Sequence, residues 1–191
     1  GYNSGAAYVV FGKSGFGASS DLSALNGANG FRLDGMRAND FTGYAVSAAG
    51  DVNGDGFADI LAGALNFDRL GAETVGAAYV VFGKASGFNA VIDLGSLDGD
   101  TGFRIEGAAG SDFLGRHTLG AAGDVNGDGF DDIIVGSNGA DNNGLGGSGS
   151  TYIIYGHRAD TAVTRTGTAL DNRMNGGRND DIISGLSGND T

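Results

Sequence analysis

The sequence of 191 residues contains no cysteine, proline or tryptophan, and its 11 lysines and arginines are outnumbered by 23 aspartates and glutamates. Without cysteine there is no disulfide framework, a state that suits the cytosol and equally an exported chain held together by other means. The shortage of basic residues leaves a net charge of -12, which repels phosphate backbones and anionic lipid and argues against nucleic acid as a partner. The longest apolar runs, Ala6 to Phe11 and Ala77 to Phe82, have six residues each, far below the roughly 18 needed to cross a bilayer as a helix. The sequence as it stands opens on neither a basic-then-apolar export signal nor an Arg-rich leader.

What is abundant is glycine, at 39 residues, the least helix-prone ordinary residue, so long helices are not expected. A hydrophobic content of 40% with 9% aromatics nevertheless points to a packed core rather than a disordered chain. An acidic chain of this kind suits a cation as partner.

The sequence repeats itself. Gly5-Ala6-Ala7-Tyr8-Val9-Val10-Phe11-Gly12-Lys13 returns 71 residues later as Gly76-Ala77-Ala78-Tyr79-Val80-Val81-Phe82-Gly83-Lys84. Gly30-Phe31-Arg32 answers to Gly102-Phe103-Arg104, and a third copy opens at Thr151-Tyr152-Ile153-Ile154-Tyr155-Gly156. Within a unit, short β-branched and aromatic runs at Tyr8 to Phe11, Gly30 to Leu33, Tyr44 to Ala48 and Asp59 to Ala62 alternate with Gly/Asn/Asp/Ser turns, which predicts four strands per unit. Four short strands in about 70 residues match the size of a propeller blade; a sandwich of two duplicated halves is the plainer alternative. The frame is cut at both ends, so the sheets are expected to be completed by further repeats or by other protein chains, because unpaired edges are pairing templates.

The strongest chemical signal is a duplicated acidic loop. Asp51, Asn53, Asp55 and Asp59 occupy its first, third, fifth and ninth positions, and Asp124, Asn126, Asp128 and Asp132 occupy the same positions in the second copy. Glycines at the fourth and sixth positions allow the tight curl that turns these oxygens toward one point. With the backbone carbonyls of Phe57 and Phe130, such a set suits Ca²⁺, which takes six to eight oxygen ligands, better than Mg²⁺, which demands strict octahedral geometry. An EF-hand would require a bidentate Glu at the twelfth position, where Ala62 and Val135 stand, and a helix afterwards, where strand-like Ile60-Leu61 and Ile133-Ile134 follow. The bland reading of the same residues is a set of Asx-turns.

Residues 1–156 resemble the FG-GAP repeats of integrin α-subunit propellers and of large bacterial exoproteins. The acidic loop carries the likeness, while Thr42-Gly43 and Leu114-Gly115 stand where the family has Phe-Gly. The resemblance implies an all-β, partial β-propeller of about two four-stranded blades, with at least two Ca²⁺ held by the loop residues named above. Residues 176–191 resemble the nonapeptide G-G-x-G-x-D-x-U-x of RTX, or hemolysin-type, calcium-binding repeats, with Asp181 and Asp190 nine apart at the ligand position. Residues 157–175 then read as a polar linker before the start of an RTX β-roll. Together the two likenesses imply an extracellular or bacterial cell-surface protein exported by a type I system and stapled by metal.

No catalytic motif competes with this. The sequence has no Gly-x-Ser-x-Gly elbow, Walker loop, zinc motif or dinucleotide fingerprint. His117 and His157 have no counterpart in the other repeat, and metal ligation accounts for the pair Asp131-Asp132. The recurring aromatics Tyr8, Phe11, Phe31, Tyr79, Phe82 and Phe103 are expected to pack between blades, with exposed ones as candidate platforms for surface glycans. The expectation is a non-catalytic calcium-binding module serving adhesion, surface-layer or filament assembly. The alternative is the accessory region of a secreted calcium-dependent hydrolase.

Overall fold

The computed structural model describes residues 2–15, 17–69, 74–141 and 144–158, together with the strands at 164–166 and 182–184. Its elements in chain order are β1 (Ala6–Val10), β2 (Gly30–Asp34), β3 (Thr42–Gly50), β4 (Asp59–Ala64), β5 (Ala77–Val81), β6 (Val91–Asp93), β7 (Gly102–Glu106), β8 (Leu114–Gly123), β9 (Asp132–Ser137), β10 (Ser150–Ile154), β11 (Thr164–Thr166) and β12 (Ile182–Ser184). The helical content among the described residues is two 3-10 turns, each begun by an aspartate, Asp21 or Asp93, whose carboxylate accepts the amide two residues on. The fold is therefore all-β, as glycine content and strand-length runs require.

Four strands form one complete antiparallel sheet in the order β3-β4-β5-β7. It draws its first two strands from one copy of the repeat and its last two from the next, so the sheet boundary falls half a repeat away from the unit that begins at Gly5. On one side lies the sheet β1-β2-β6, and on the other β8-β9-β10. The expected strands all occur, β3 being longer than its apolar run because the ladder continues to Gly50. The short strand β6 is an addition: it crosses back to pair in parallel with β2. β11 lies inside the segment read as a linker and pairs in parallel with β12, Thr164 opposite Ile182.

β5 explains why the three main sheets stack. Both of its faces are apolar and all five residues are buried. Ala77, Tyr79 and Val81 pack with Ala7, Phe31 and Leu33 of the first sheet, while Ala78 and Val80 pack toward Leu114, Ile133 and Val135 of the third. Such a run, hydrophobic at every position, is the signature of a strand covered on both sides. Phe31 and Tyr79 are fully buried as expected, but Tyr8 is 46% exposed, because among the described residues no sheet lies over the outer face of β1.

Two glycines show how closely the layers approach. Gly115, with φ +69°, sits where a Cβ would come within 2.9 Å of the Ala77 carbonyl oxygen, and a Cβ on Gly63 would be 2.3 Å from the Gly115 carbonyl oxygen. We expect Gly63→Ala to cost about 1–3 kcal/mol through overpacking. Gly12→Ala, where a Cβ meets nothing within 4 Å, should stay within about 0.5 kcal/mol of the parent. Urea unfolding of the two variants checks the contrast.

Candidate metal centre

The loop from Asp51 to Asp59 joins β3 to β4, and the loop from Asp124 to Asp132 joins β8 to β9. Their backbones curl because Gly54 and Gly56, with φ +71° and +90°, and Gly127 and Gly129, with φ +77° and +90°, take conformations that a side chain disfavours. The curl aims amides inward, and the acidic side chains accept them. Asp51 Oδ1 and Oδ2 accept the amides of Asp55 and Gly56 at 3.0 and 2.9 Å. Asn53 Oδ1 also accepts the Asp55 amide, at 3.0 Å, and Asp55 Oδ1 accepts that of Phe57 at 2.9 Å.

The second loop repeats the pattern bond for bond. Asp124 accepts the amides of Asp128 and Gly129 at 3.0 and 2.9 Å, Asn126 accepts that of Asp128 at 2.9 Å, and Asp128 accepts that of Phe130 at 3.0 Å. The first three odd positions are thus gathered on one turn. The shared Asp55 amide places Asp51 Oδ1 and Asn53 Oδ1 beside each other.

The ninth position behaves differently. Asp59 is 1% exposed and Asp132 fully buried. Asp59 Oδ2 accepts the Val52 amide at 2.9 Å and Oδ1 accepts the Gly83 amide at 2.8 Å. Asp132 accepts the amides of Val125 and Gly156, both at 2.9 Å. Each of these carboxylates locks the start of its own loop to the glycine that ends the next strand. Spacing alone did not show this bracing role, nor the part of Gly83 and Gly156; the recurrence of that glycine after each Tyr-x-x-aromatic run was the available signal.

The two loops touch. The Asp131 amide donates to the Asp51 carbonyl at 3.0 Å, and Asp131 Oδ2 accepts the Asp51 amide at 2.8 Å. Gly54 lies against the ring of Phe130. The pair Asp131-Asp132 thus divides its work, one residue joining the loops and the other bracing its own. His117 is exposed beside Tyr44, with ring centroids 5.5 Å apart, and takes no part in the centre.

Burial raises the Asp59 carboxyl from its ordinary value to about 6; the nearby charges of Asp55 and Asp51 add to the rise, and the two amide hydrogen bonds oppose it. Asp124 is held below the usual range, chiefly by the Gly129 amide. The donor set fits a hard cation in kind, being oxygen throughout, and each carboxylate oxygen that accepts one amide keeps a second lone pair. It is not a cage of acids alone: among the described residues, no three acidic or histidine side chains are gathered to hold a metal by themselves. The Nδ2 of Asn53 donates to Asp55 Oδ2 at 2.9 Å, so the loop also satisfies itself by Asx-type bonds. Asp181 and Asp190 lie outside the described residues.

Comparison with known proteins matches the FG-GAP repeat to residues 42–81 and 118–154. The first span runs from the start of β3 to the end of β5 and the second from within β8 to the end of β10, each including one acidic loop. The phosphatidylinositol-glycan-specific phospholipase D of Rattus norvegicus is 33% identical over 111 residues, covering 58% of this chain and 13% of the relative. The proteins of the same name from Mus musculus and Bos taurus are 30% and 32% identical over 115 and 116 residues. The chain spans about 13% of the length of these relatives. The likeness to the FG-GAP repeat thus falls on two spans, each of which includes one acidic loop.

Proposed function

We propose that this chain is a non-catalytic, calcium-stabilised β-propeller module of an extracellular or cell-surface protein, with a role in adhesion, surface-layer or filament assembly. The observation that carries the reading is the bond-for-bond repetition of the two all-oxygen loops. Asp51, Asn53, Asp55, the Phe57 carbonyl and Asp59 would hold one ion, and Asp124, Asn126, Asp128, the Phe130 carbonyl and Asp132 the other. A bound divalent cation would supply the positive charge that these acidic turns lack. The chain's own part is to hold the turns curled and to brace them, through Asp59 and Asp132, against the strands behind. The central sheet, built half from one repeat and half from the next and stacked between two others, supports the propeller reading. The parallel pairing of β11 with β12 at a spacing of 18 residues, twice a nonapeptide, supports an RTX-like C-terminal segment. Export by a type I system belongs to the same reading.

A second reading is favoured by the relatives: their name is that of a hydrolase, and the match covers a small share of their length. On that reading these repeats are the accessory region of an enzyme whose catalytic residues lie elsewhere. Sequence flanking these repeats in the gene decides: a nucleophile motif or metal cluster there favours the hydrolase, and further repeats alone favour assembly.

Calcium titration followed by thermal melting tests the metal. Saturation at about 100 times Kd is worth roughly 2.7 kcal/mol per site, or about 5 °C or more for a chain of this size. We expect that shift in the parent and its loss in Asp55→Ala plus Asp128→Ala; a parent indifferent to calcium refutes the proposal. Asp59→Ala should lower the melting temperature even in chelator, because two buried amides lose their acceptor.

The pH dependence in chelator has a definite sign. The folded state holds the Asp59 proton more tightly than the unfolded chain does, so its contribution to stability is present below about pH 4 and is lost as pH rises through about 6. Asp59→Asn should flatten the melting profile across that window, which melting at pH 4, 5, 6 and 7 measures.

A further inference from the structure

The two acidic loops are joined by more than proximity. Asp131 fills the eighth position of the second loop, between Phe130 and Asp132, where the first loop has Ala58. Its half-buried side chain reaches across to the start of the first loop. Oδ2 accepts the Asp51 amide at 2.8 Å, and the Asp131 amide donates to the Asp51 carbonyl at 3.0 Å. Gly50 makes the room: a Cβ there would stand 2.2 Å from Asp131 Oδ2 and 2.7 Å from the Asp131 Cβ, so a side chain before Asp51 would evict the visiting carboxylate.

Further contacts tie the same two loops. The Phe130 ring covers Gly54, where a Cβ would come within 2.4 Å of it. Beyond β10, the Gly156 amide donates to Asp132 Oδ1 at 2.9 Å and the His157 amide to the Val52 carbonyl at 2.9 Å, so two consecutive residues hold one loop each.

These links end on residues that carry, or adjoin, the oxygens assigned above to an ion. Asp51 is the first position of one set, and the Phe130 carbonyl and Asp132 flank Asp131 in the other. The bonds require both loops in their curled form, so curling either loop fixes part of its neighbour. Charge works in the same direction. The Asp131 carboxylate is seated on the backbone of another acid, and like charges so placed oppose the contact. Compensating the charge of Asp51 and Asp55 removes that opposition. Two cations on adjacent loops repel one another, and the Asp131 charge at the seam offsets the repulsion.

We propose, on the calcium reading of these loops, that the two cation sites form one coupled pair and that Asp131 is the positioning residue that couples them, so that filling either site tightens the other. The direction of the clamp is written in the eighth position: aspartate there reaches back to the preceding loop, and alanine cannot.

Isothermal titration of the full chain with Ca²⁺ tests the coupling through single-site variants. Asp128→Ala removes a ligand of the second site and Asp55→Ala a ligand of the first. We expect the remaining site of each variant to bind at least about fivefold more weakly than the same site in the parent with its neighbour filled, by one common factor, since coupling between sites is reciprocal. Asp131→Ala should still take up two ions, but removing one site in that background should leave the affinity of the other within about twofold. Should Asp131→Ala fail to fold, Gly50→Ala, which displaces the same carboxylate, takes its place with the same expected loss. Two ions bound independently by the parent overturn the coupling and leave the calcium reading standing. Coupling that survives Asp131→Ala overturns the role of Asp131, and a parent that binds no Ca²⁺ overturns both readings together.

Discussion

Two buried carboxylates hold this architecture in place. Asp59 and Asp132 each accept two backbone amides, one from the beginning of the loop that precedes them and one from the glycine that closes the strand beyond. A buried acid is tolerated only when its oxygens are hydrogen-bonded, and here each oxygen accepts one amide. The arrangement converts an acidic, self-repelling loop into a rigid corner between two strands. Everything that makes the loops candidate cation sites, including the inward-facing oxygens of Asp51, Asn53 and Asp55, depends on that corner being square.

Glycine works as the counterpart of these aspartates. Where the loops must curl, it supplies positive φ; where sheets must meet, it removes a Cβ that would strike a carbonyl of the next layer. A chain with so much glycine loses much entropy on folding, and the stacked sheets answer with a central strand buried on both faces. The division is clear in β5, whose alternate residues belong to different hydrophobic clusters.

Much of this was legible in the sequence, for physical reasons that differ by element. β1, β4 and β5 announce themselves because short apolar runs ended by glycine have few other uses. The loops are legible because the same oxygen-bearing residues recur in one register. The dual character of position nine was not, since a carboxylate there reads as a ligand, and only the Gly83 and Gly156 amides reveal the bracing role as well. β6 was hidden because three residues carry no periodicity. Phe41 and Phe113 have φ of +53° and +54°, and no rule of residue preference would place phenylalanine there. Each follows a buried aspartate, Asp40 or Asp112, that accepts an amide three residues back, a turn that sequence reading missed although Asp-Phe recurs at both places.

The reciprocal bonds between Asp51 and Asp131, joined by the donation of the His157 amide to the Val52 carbonyl at 2.9 Å, have a mechanical meaning. They rivet adjacent sheets that also meet through apolar faces and through the backbone bridge between Gly76 and Leu114. A force drawing one sheet past its neighbour must break these bonds together rather than peel them singly. Load applied to such a stack is shared between layers, and the hydrogen bonds at their margins resist sliding that the greasy interior alone would permit.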